Sequence, residues 1–363
     1  MNLELTDEQI ALRDTVRRFL AEKASISAHV RPLLDDPTGT TEQVWRGLAD
    51  LGTTGLLVPD EHGGAGMTMV EAGVVAEELG GALHPGPWLS TAVAAVRTLT
   101  RVGGEPAAQI LAQIAEGTTI ATVVGLGARP ATVSSGNAGP QLSSPPLTVP
   151  DAAAADVLLV LAEDGDAIGL WAVQPPFPGT SVTPECGIDK TRKQFRVEFT
   201  DANAQHLGMV TPDDVDAVVD DMLIATAADA LGAAGAVLNM AVEYAKSRKQ
   251  FGAPIGSFQA IGHLCVDMYE TVELARSGVV HALWAADSCP IERHSAALRA
   301  KAFAGRLATV GDTAIQVFGG IGYTWEHDAH LYLKRLLSWS ALLGGPDRYL
   351  TEVGAQLARK GRR

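Results

Sequence analysis

Arg248-Lys249-Gln250-Phe251-Gly252 closes a long alanine-rich stretch, and further along stands Gln316-Val317-Phe318-Gly319-Gly320-Ile321-Gly322-Tyr323-Thr324. Each string alone has a plain explanation. Basic side chains in the last turn of a helix interact well with its carbonyl end, so Arg248 and Lys249 need mean no more than a charged terminus. Paired glycines stop a helix, although they also let a backbone come close to a phosphate. Together, at this spacing and near the end of the chain, the two strings frame the reading of everything around them.

Outward from them the hydrophobic period changes twice. Up to about residue 115 it is helical. Thr6 can cap a helix opening Asp7-Glu8-Gln9, with Leu12, Val16, Phe19 and Leu20 at helical spacing. A second helix runs from near Thr41 through Trp45, Leu48 and Leu51 and stops at Gly52, and a third carries Val70, Val74, Ala76 and Leu79. From about 117 to 208 short β-branched or apolar runs alternate with Gly, Pro, Ser and Asp: Thr119–Val124, Val157–Leu161, Ile168–Val173, Phe195–Phe199. That pattern predicts an all-β unit of antiparallel strands. Helical periodicity then returns over 213–249, 257–287, 291–318 and 326–342, and Gly232 and Gly235 among alanines suit close helix packing.

The bulk numbers bound the function. With 47% apolar and 19% charged residues the chain is a globular protein with room for more than one core. Its 42 acidic against 28 basic residues give a formal charge of −14, which argues against nucleic-acid or anionic-membrane surfaces. Cys186, Cys265 and Cys289 show no CxxC spacing, so neither a disulfide framework nor a zinc site is expected. The polar start Met1-Asn2-Leu3-Glu4 lacks a signal-peptide pattern, and no uncharged apolar run reaches about 18 residues. A cytoplasmic location is the expectation.

The wider string Glu243-Tyr244-Ala245-Lys246-Ser247-Arg248-Lys249-Gln250-Phe251-Gly252-Ala253-Pro254-Ile255-Gly256-Ser257-Phe258-Gln259 resembles a signature of the acyl-CoA dehydrogenase family nearly residue for residue, and Gln316–Thr324 resembles its second signature. Asp60-Glu61-His62-Gly63-Gly64-Ala65-Gly66, Glu77-Glu78-Leu79-Gly80 and Gly187-Ile188-Asp189-Lys190-Thr191-Arg192 extend the resemblance over the whole chain. It implies an α+β fold: an N-terminal helical domain over 1–115, a middle β-barrel-like domain over 116–208, and a C-terminal four-helix bundle over 209–363. It also implies FAD. Arg248 would pair with the pyrophosphate, where a planar fork of donors suits phosphate oxygens. Gln250 and Phe251 would lie beside the cofactor, and Gln316, Gly319 and Gly320 would meet the adenine and pyrophosphate end of an FAD held mainly by a neighbouring subunit.

Three departures bear on catalysis. The family's usual base position counts to Leu343, and the alternative position on the helix before the arginine run counts to Met222; neither side chain can take a proton. Asp220 and Asp221 stand beside Met222 as substitute candidates, but acids on a helix are mostly solvated and proton transfer is geometrically strict. The flavin-facing strand segments also differ, reading Thr122-Val123-Val124-Gly125-Leu126-Gly127-Ala128-Arg129-Pro130 and Ser143-Ser144-Pro145-Pro146-Leu147-Thr148-Val149-Pro150. His327 and His330, one helical turn apart, lack the surroundings of a metal site. Gly125-Leu126-Gly127 lacks the rest of a dinucleotide-binding turn.

The resemblance thus implies α,β-desaturation of an acyl-CoA, with electron-transfer flavoprotein or a similar acceptor. The chain resembles the base-lacking chain of actinobacterial heteromeric members. A homo-oligomer, a non-catalytic partner subunit completing a homologue's FAD site, and a flavin oxidase or monooxygenase of the same fold remain open.

Overall fold

The computed structural model describes residues 4–128, 131–136, 139–165 and 167–360. Helices come first: α1 (Asp7–Lys23), a π-helical turn (Ile26–Val30), α2 (Glu42–Asp50) and α3 (Met69–Gly81). A second π-helical run (Leu89–Ala95) leads into α4 (Val96–Val102), followed by α5 (Glu105–Ala115). Thr6 caps α1 as its sequence requires: the Gln9 N–H donates to Thr6 Oγ1 at 3.3 Å, and the Thr6 N–H to Gln9 Oε1 at 2.9 Å. Gly52, with φ +74°, follows the end of α2.

Strands β1 (Ala121–Val124), β2 (Ala131–Gly136), β3 (Gly139–Pro150), β4 (Val157–Asp164), β5 (Ala167–Val173), β6 (Thr180–Glu185), β7 (Gln194–Asn203) and β8 (Gln205–Val210) form one sheet in the order β6-β7-β3-β2-β4-β5-β8, with β1 beside β4. The expectation of antiparallel strands alone is corrected here. Strand β4 runs parallel to β1 and to the start of β2, while the other pairs are antiparallel. Parallel neighbours need a long return path, and the β2–β3 hairpin inserted between β1 and β4 supplies one. Local alternation reports which face is buried, not strand direction, so the sequence could not reveal it.

Helix α6 (Pro212–Ser247) follows, then the two-residue strands β9 (Lys249–Gln250) and β10 (Ala253–Pro254). Helices α7 (Gln259–Ser288), α8 (Pro290–Ala302), α9 (Ala304–Phe318), α10 (Ala329–Ala341) and α11 (Pro346–Lys360) complete the chain. The segment expected as one helix over 291–318 is two, divided at Phe303, and α11 went unread in the sequence. Helix α6 is long and apolar enough to cross a membrane, but 83% of its apolar window is buried inside the protein, as in a core helix.

The chain divides into two compact units. One comprises Met1–Ile26, Gly73–His84 and Leu223–Arg363, the other Ser27–Ala72 and Pro85–Met222. Glycines set the helix spacing in the first. A Cβ on Gly232 would stand 1.8 Å from the Glu77 carbonyl oxygen, and one on Gly80 would stand 1.9 Å from that of Asp229. Arg335 is buried and donates through Nη1 to both Asp229 oxygens, at 3.0 and 2.9 Å, and through Nη2 to the His84 carbonyl at 3.1 Å. Tyr332 Oη donates to the Gly81 carbonyl at 2.7 Å, so polar side chains of α10 satisfy the carbonyl end of α3. In the second unit the sheet buries Leu142, Val149, Val160, Trp171, Phe195 and Phe199. Lys193 Nζ donates to the Leu33 and Leu34 carbonyls at 2.7 and 2.8 Å, and burial lowers its pKa.

Candidate functional site

The arginine run leads into a tight hairpin. Helix α6 gives out at Ser247, and Lys249–Gln250 pairs antiparallel with Ala253–Pro254. The two residues of the turn, Phe251 and Gly252, both have positive φ, +50° and +80°. A two-residue hairpin of matching twist needs that at both positions; glycine takes it freely, whereas a phenylalanine is strained there by roughly 1–2 kcal/mol. The Ile255 N–H donates to the Arg248 carbonyl at 2.8 Å and closes the loop. Arg248, Lys249 and Gln250 are exposed, and Phe251 is 94% exposed, its ring edge-to-face with that of Phe258 at 6.1 Å between centres.

The second string ends α9 at Phe318, where Gly319 turns with φ +64° into a 3-10 segment over Gly319–Tyr323. Gln316 and Gly320 are exposed and Gly319 is half-buried. Among the described residues beyond the glycine's own stretch of chain, no atom lies within 4 Å of where a Cβ on Gly319 or Gly320 would stand. An aromatic stack joins the two strings: Tyr244 and Phe318 have ring centres 5.1 Å apart, and Phe318 and His327 4.3 Å. Remote in sequence, the ends of α6 and α9 therefore meet within one unit. An exposed guanidinium, an amide and glycine backbone form a donor set suited to phosphate oxygens.

The base positions fare differently. Leu343 is half-buried at the corner between α10 and α11, with φ +54°, and its carbonyl accepts from Tyr349 Oη at 2.8 Å and Arg348 Nη1 at 3.2 Å. Met222 is partly buried on α6. The expectation that Asp220 and Asp221 are solvated is wrong: they are 5% and 0% exposed. Asp221 Oδ2 lies 3.1 Å from Arg101 Nη2 and 3.6 Å from Arg97 Nε, with both guanidiniums themselves mostly enclosed. Its charge serves a buried ion cluster, which is a structural use of a carboxylate.

The divergent strand segments are likewise absorbed into the sheet. Thr122 Oγ1 donates to the Pro150 carbonyl at 2.8 Å, and Ser143 Oγ faces Asp201 Oδ1 at 3.4 Å. Pro145 and Pro146, with no N–H to give, fall where the β3–β7 register shifts between Ser144 and Leu147. Gly125 turns with φ +98° after β1; Arg129 and Pro130 lie outside the described residues, and strand β2 begins at Ala131. His327 Nδ1 accepts from the Ala329 N–H at 3.1 Å, and buried His330 packs on Trp325. Among the described residues no group of three or more His, Cys, Asp or Glu could hold a metal ion.

The first unit also holds a cavity of about 470 Å³ that no sequence motif marks. Arg17 and Glu78 flank it, joined by bonds of 2.8 and 2.7 Å, as do Arg276 and Glu77, 2.7 Å apart. The hydrogen bonds that Arg17 donates to Glu78 raise its pKa further. Nothing in the local pattern of α1 marks Arg17 as a partner for α3, so only assembly reveals the pair.

Comparison with known proteins settles the family. The acyl-CoA dehydrogenase N-terminal domain matches residues 6–118 and the C-terminal domain residues 220–357. The chain belongs to the acyl-CoA dehydrogenase family. Acyl-CoA dehydrogenase IpdE2 of Mycobacterium tuberculosis is 34% identical over 353 residues, covering 97% of this chain and 98% of that protein. In the ChsE4-ChsE5 complex from the same organism, one chain superposes with TM-score 0.88 at 27% identity, covering 99% of each. The Tcur3481-Tcur3483 steroid ACAD gives 0.87 at 28%, covering 98% of this chain and 99% of that one. The family typically binds FAD. Its fold accounts for the order of helices, central sheet and helices found here.

Proposed function

We propose that this acyl-CoA dehydrogenase family chain acts as one member of an assembly that desaturates an acyl-CoA thioester between its α and β carbons. It presents Arg248, Gln250, Phe251, Gln316, Gly319 and Gly320 to the FAD of a neighbouring family chain, and that neighbour supplies the base. One observation carries the reading: the two flavin-type strings carry exposed polar residues and are joined through the Tyr244–Phe318 ring contact, while Leu343 and Met222 fill the base positions and Asp221 is tied to two arginines. FAD, when bound, accepts the hydride from the β carbon. Arg248 offers a rigid fork to the pyrophosphate, Gln250 and Gln316 add polar contacts, and the Gly319-Gly320 backbone admits phosphate or adenine at close range. Phe251, held out by its strained turn, covers the cofactor and sheds water from it. The α-proton leaves to the neighbour's carboxylate, because no side chain at either base position here can take it. Electron-transfer flavoprotein or a similar acceptor then reoxidises the assembly.

Similarity to a two-protein complex and to a steroid ACAD supports a heteromer, and it directs the first assays to ring-bearing acyl-CoA thioesters. A non-catalytic partner subunit is the second reading, favoured by the buried use of Asp221. The test is co-expression of the full chain with a homologue that carries a glutamate at its base position, followed by flavin stoichiometry and turnover with an artificial electron acceptor. The pair should turn over at least ~10²-fold faster than this chain alone, within the 10²–10⁴ range of a general base. Robust turnover by the isolated chain, abolished by Asp220→Asn or Asp221→Asn, would overturn the reading.

A further inference from the structure

Tyr244 lies one helical turn before Arg248, and its carbonyl accepts the Arg248 N–H at 2.8 Å, so the tyrosine belongs to the turn from which the arginine leaves α6. Phe318 is the last residue of α9 and directly precedes Gly319. The contact between their rings, 5.1 Å between centres and tilted by 55°, therefore ties the turn that launches one string to the residue that launches the other. Phe318 is buried, whereas Tyr244 is half-buried.

The glycine side of this contact is held as well. Phe318 meets His327 with ring centres 4.3 Å apart and a tilt of 50°. His327 is fixed in turn through Nδ1, which accepts the Ala329 N–H at 3.1 Å, and through its backbone N–H, which donates to the Thr324 carbonyl at 3.3 Å. Gly322 closes against the same phenylalanine: a Cβ there would stand 3.0 Å from Phe318 Cβ and 3.2 Å from the Ile315 carbonyl oxygen. The 3-10 segment Gly319–Tyr323 is thus folded back on the last turn of α9. Aromatic pairs prefer particular orientations as well as separations, so rings fix relative geometry more tightly than aliphatic contacts do.

We propose that Phe318 is a positioning residue for the cofactor: through its ring contacts with Tyr244 and His327 it fixes the Gly319-Gly320 turn relative to Arg248, so that a single FAD engages both. The role rests on the FAD contacts proposed above for those groups, and Phe318 acts through them. The requirement is geometric. A guanidinium fork gives two aligned bonds to a phosphate only over a narrow range of positions. Two sites that hold one ligand reinforce each other only when their separation matches it.

A cycle of variants tests this in the full chain, co-expressed with a homologue that carries a glutamate at its base position, stripped of flavin and titrated with FAD by fluorescence. In an otherwise wild-type chain Arg248→Ala should weaken FAD binding by about 10- to 150-fold. Tyr244→Leu removes one ring and keeps apolar bulk. It should weaken FAD binding by about tenfold or more, and in its background Arg248→Ala should cost less than about threefold, because the arginine is no longer held where the turn needs it. Tyr244→Phe keeps the ring and should preserve the full Arg248 effect. Phe318→Leu should behave as Tyr244→Leu does; should it fail to fold, the variants of half-buried Tyr244 decide. A contact that only supports folding would lower the thermal midpoint yet leave the Arg248 effect undiminished in Tyr244→Leu, and that result overturns the positioning role alone. Unchanged FAD affinity in Arg248→Ala itself overturns the cofactor role of the arginine, and the positioning role with it.

Discussion

The start of α6 and the hairpin just beyond its end carry opposite charges in opposite surroundings. Near the start, Asp220 and Asp221 are buried, and Asp221 is neutralised by Arg97 and Arg101 of α4. Beyond the end, Arg248 and Lys249 stand in solvent on a hairpin whose tip holds a phenylalanine at positive φ. A buried charge survives only when paired, so Asp221 with its arginines contributes to holding the fold. An exposed charge beside an exposed aromatic in a strained turn contributes little to folding, and its natural use is contact with another molecule. Under the proposed function, the exposed groups meet the cofactor and the buried acid nearest to a family base position holds structure.

The sharpest way to break this comparison is Asp221→Ala. It removes the buried carboxylate between two enclosed guanidiniums and should cost about 3–5 kcal/mol, read from the urea midpoint. If the variant keeps its stability and the assembly loses turnover, Asp221 is a base and the contrast between the two regions fails. Arg248→Ala probes the other region. It should lower FAD affinity of the assembly by about 10- to 150-fold, for a charge-assisted bond worth roughly 1.5–3 kcal/mol, while the unfolding midpoint moves by less than about 0.5 kcal/mol. Flavin-fluorescence titration beside urea unfolding separates the two effects, and unchanged affinity rejects the assigned role. The smallest effect lies in the middle of α6. Gly235→Ala meets no atom within 4 Å and should stabilise by up to about 1 kcal/mol. Gly232→Ala would press on the Glu77 carbonyl and should destabilise by about 1–3 kcal/mol. Thermal midpoints of the two variants check the difference in sign, and equal shifts would deny that Gly232 sets the α3–α6 spacing.

Much of this was legible in the sequence for a physical reason. Helix and strand periods and the Thr6 cap are local, set by side-chain spacing and backbone preference within a few residues. The two flavin-type strings could be recognised because each is contiguous. Family membership followed from them and is secured by the relatives.

Tertiary structure decided what depends on partners remote in sequence. The parallel placement of β4 beside β1, the break at Phe303 and the meeting of Tyr244 with Phe318 leave no local signature. Asp221 reads as a surface acid until Arg97 and Arg101 are seen to enclose it, and Asp229 as an oddity in an alanine run until Arg335 arrives from α10. Lys301 reads as one more basic residue near a helix end until two carbonyls and an indole close over it. The sequence by itself determined the elements and the family, because those rest on neighbours along the chain. Whether each charge is solvated, paired or buried was left to the fold, because desolvation and pairing depend on what the rest of the molecule brings into contact.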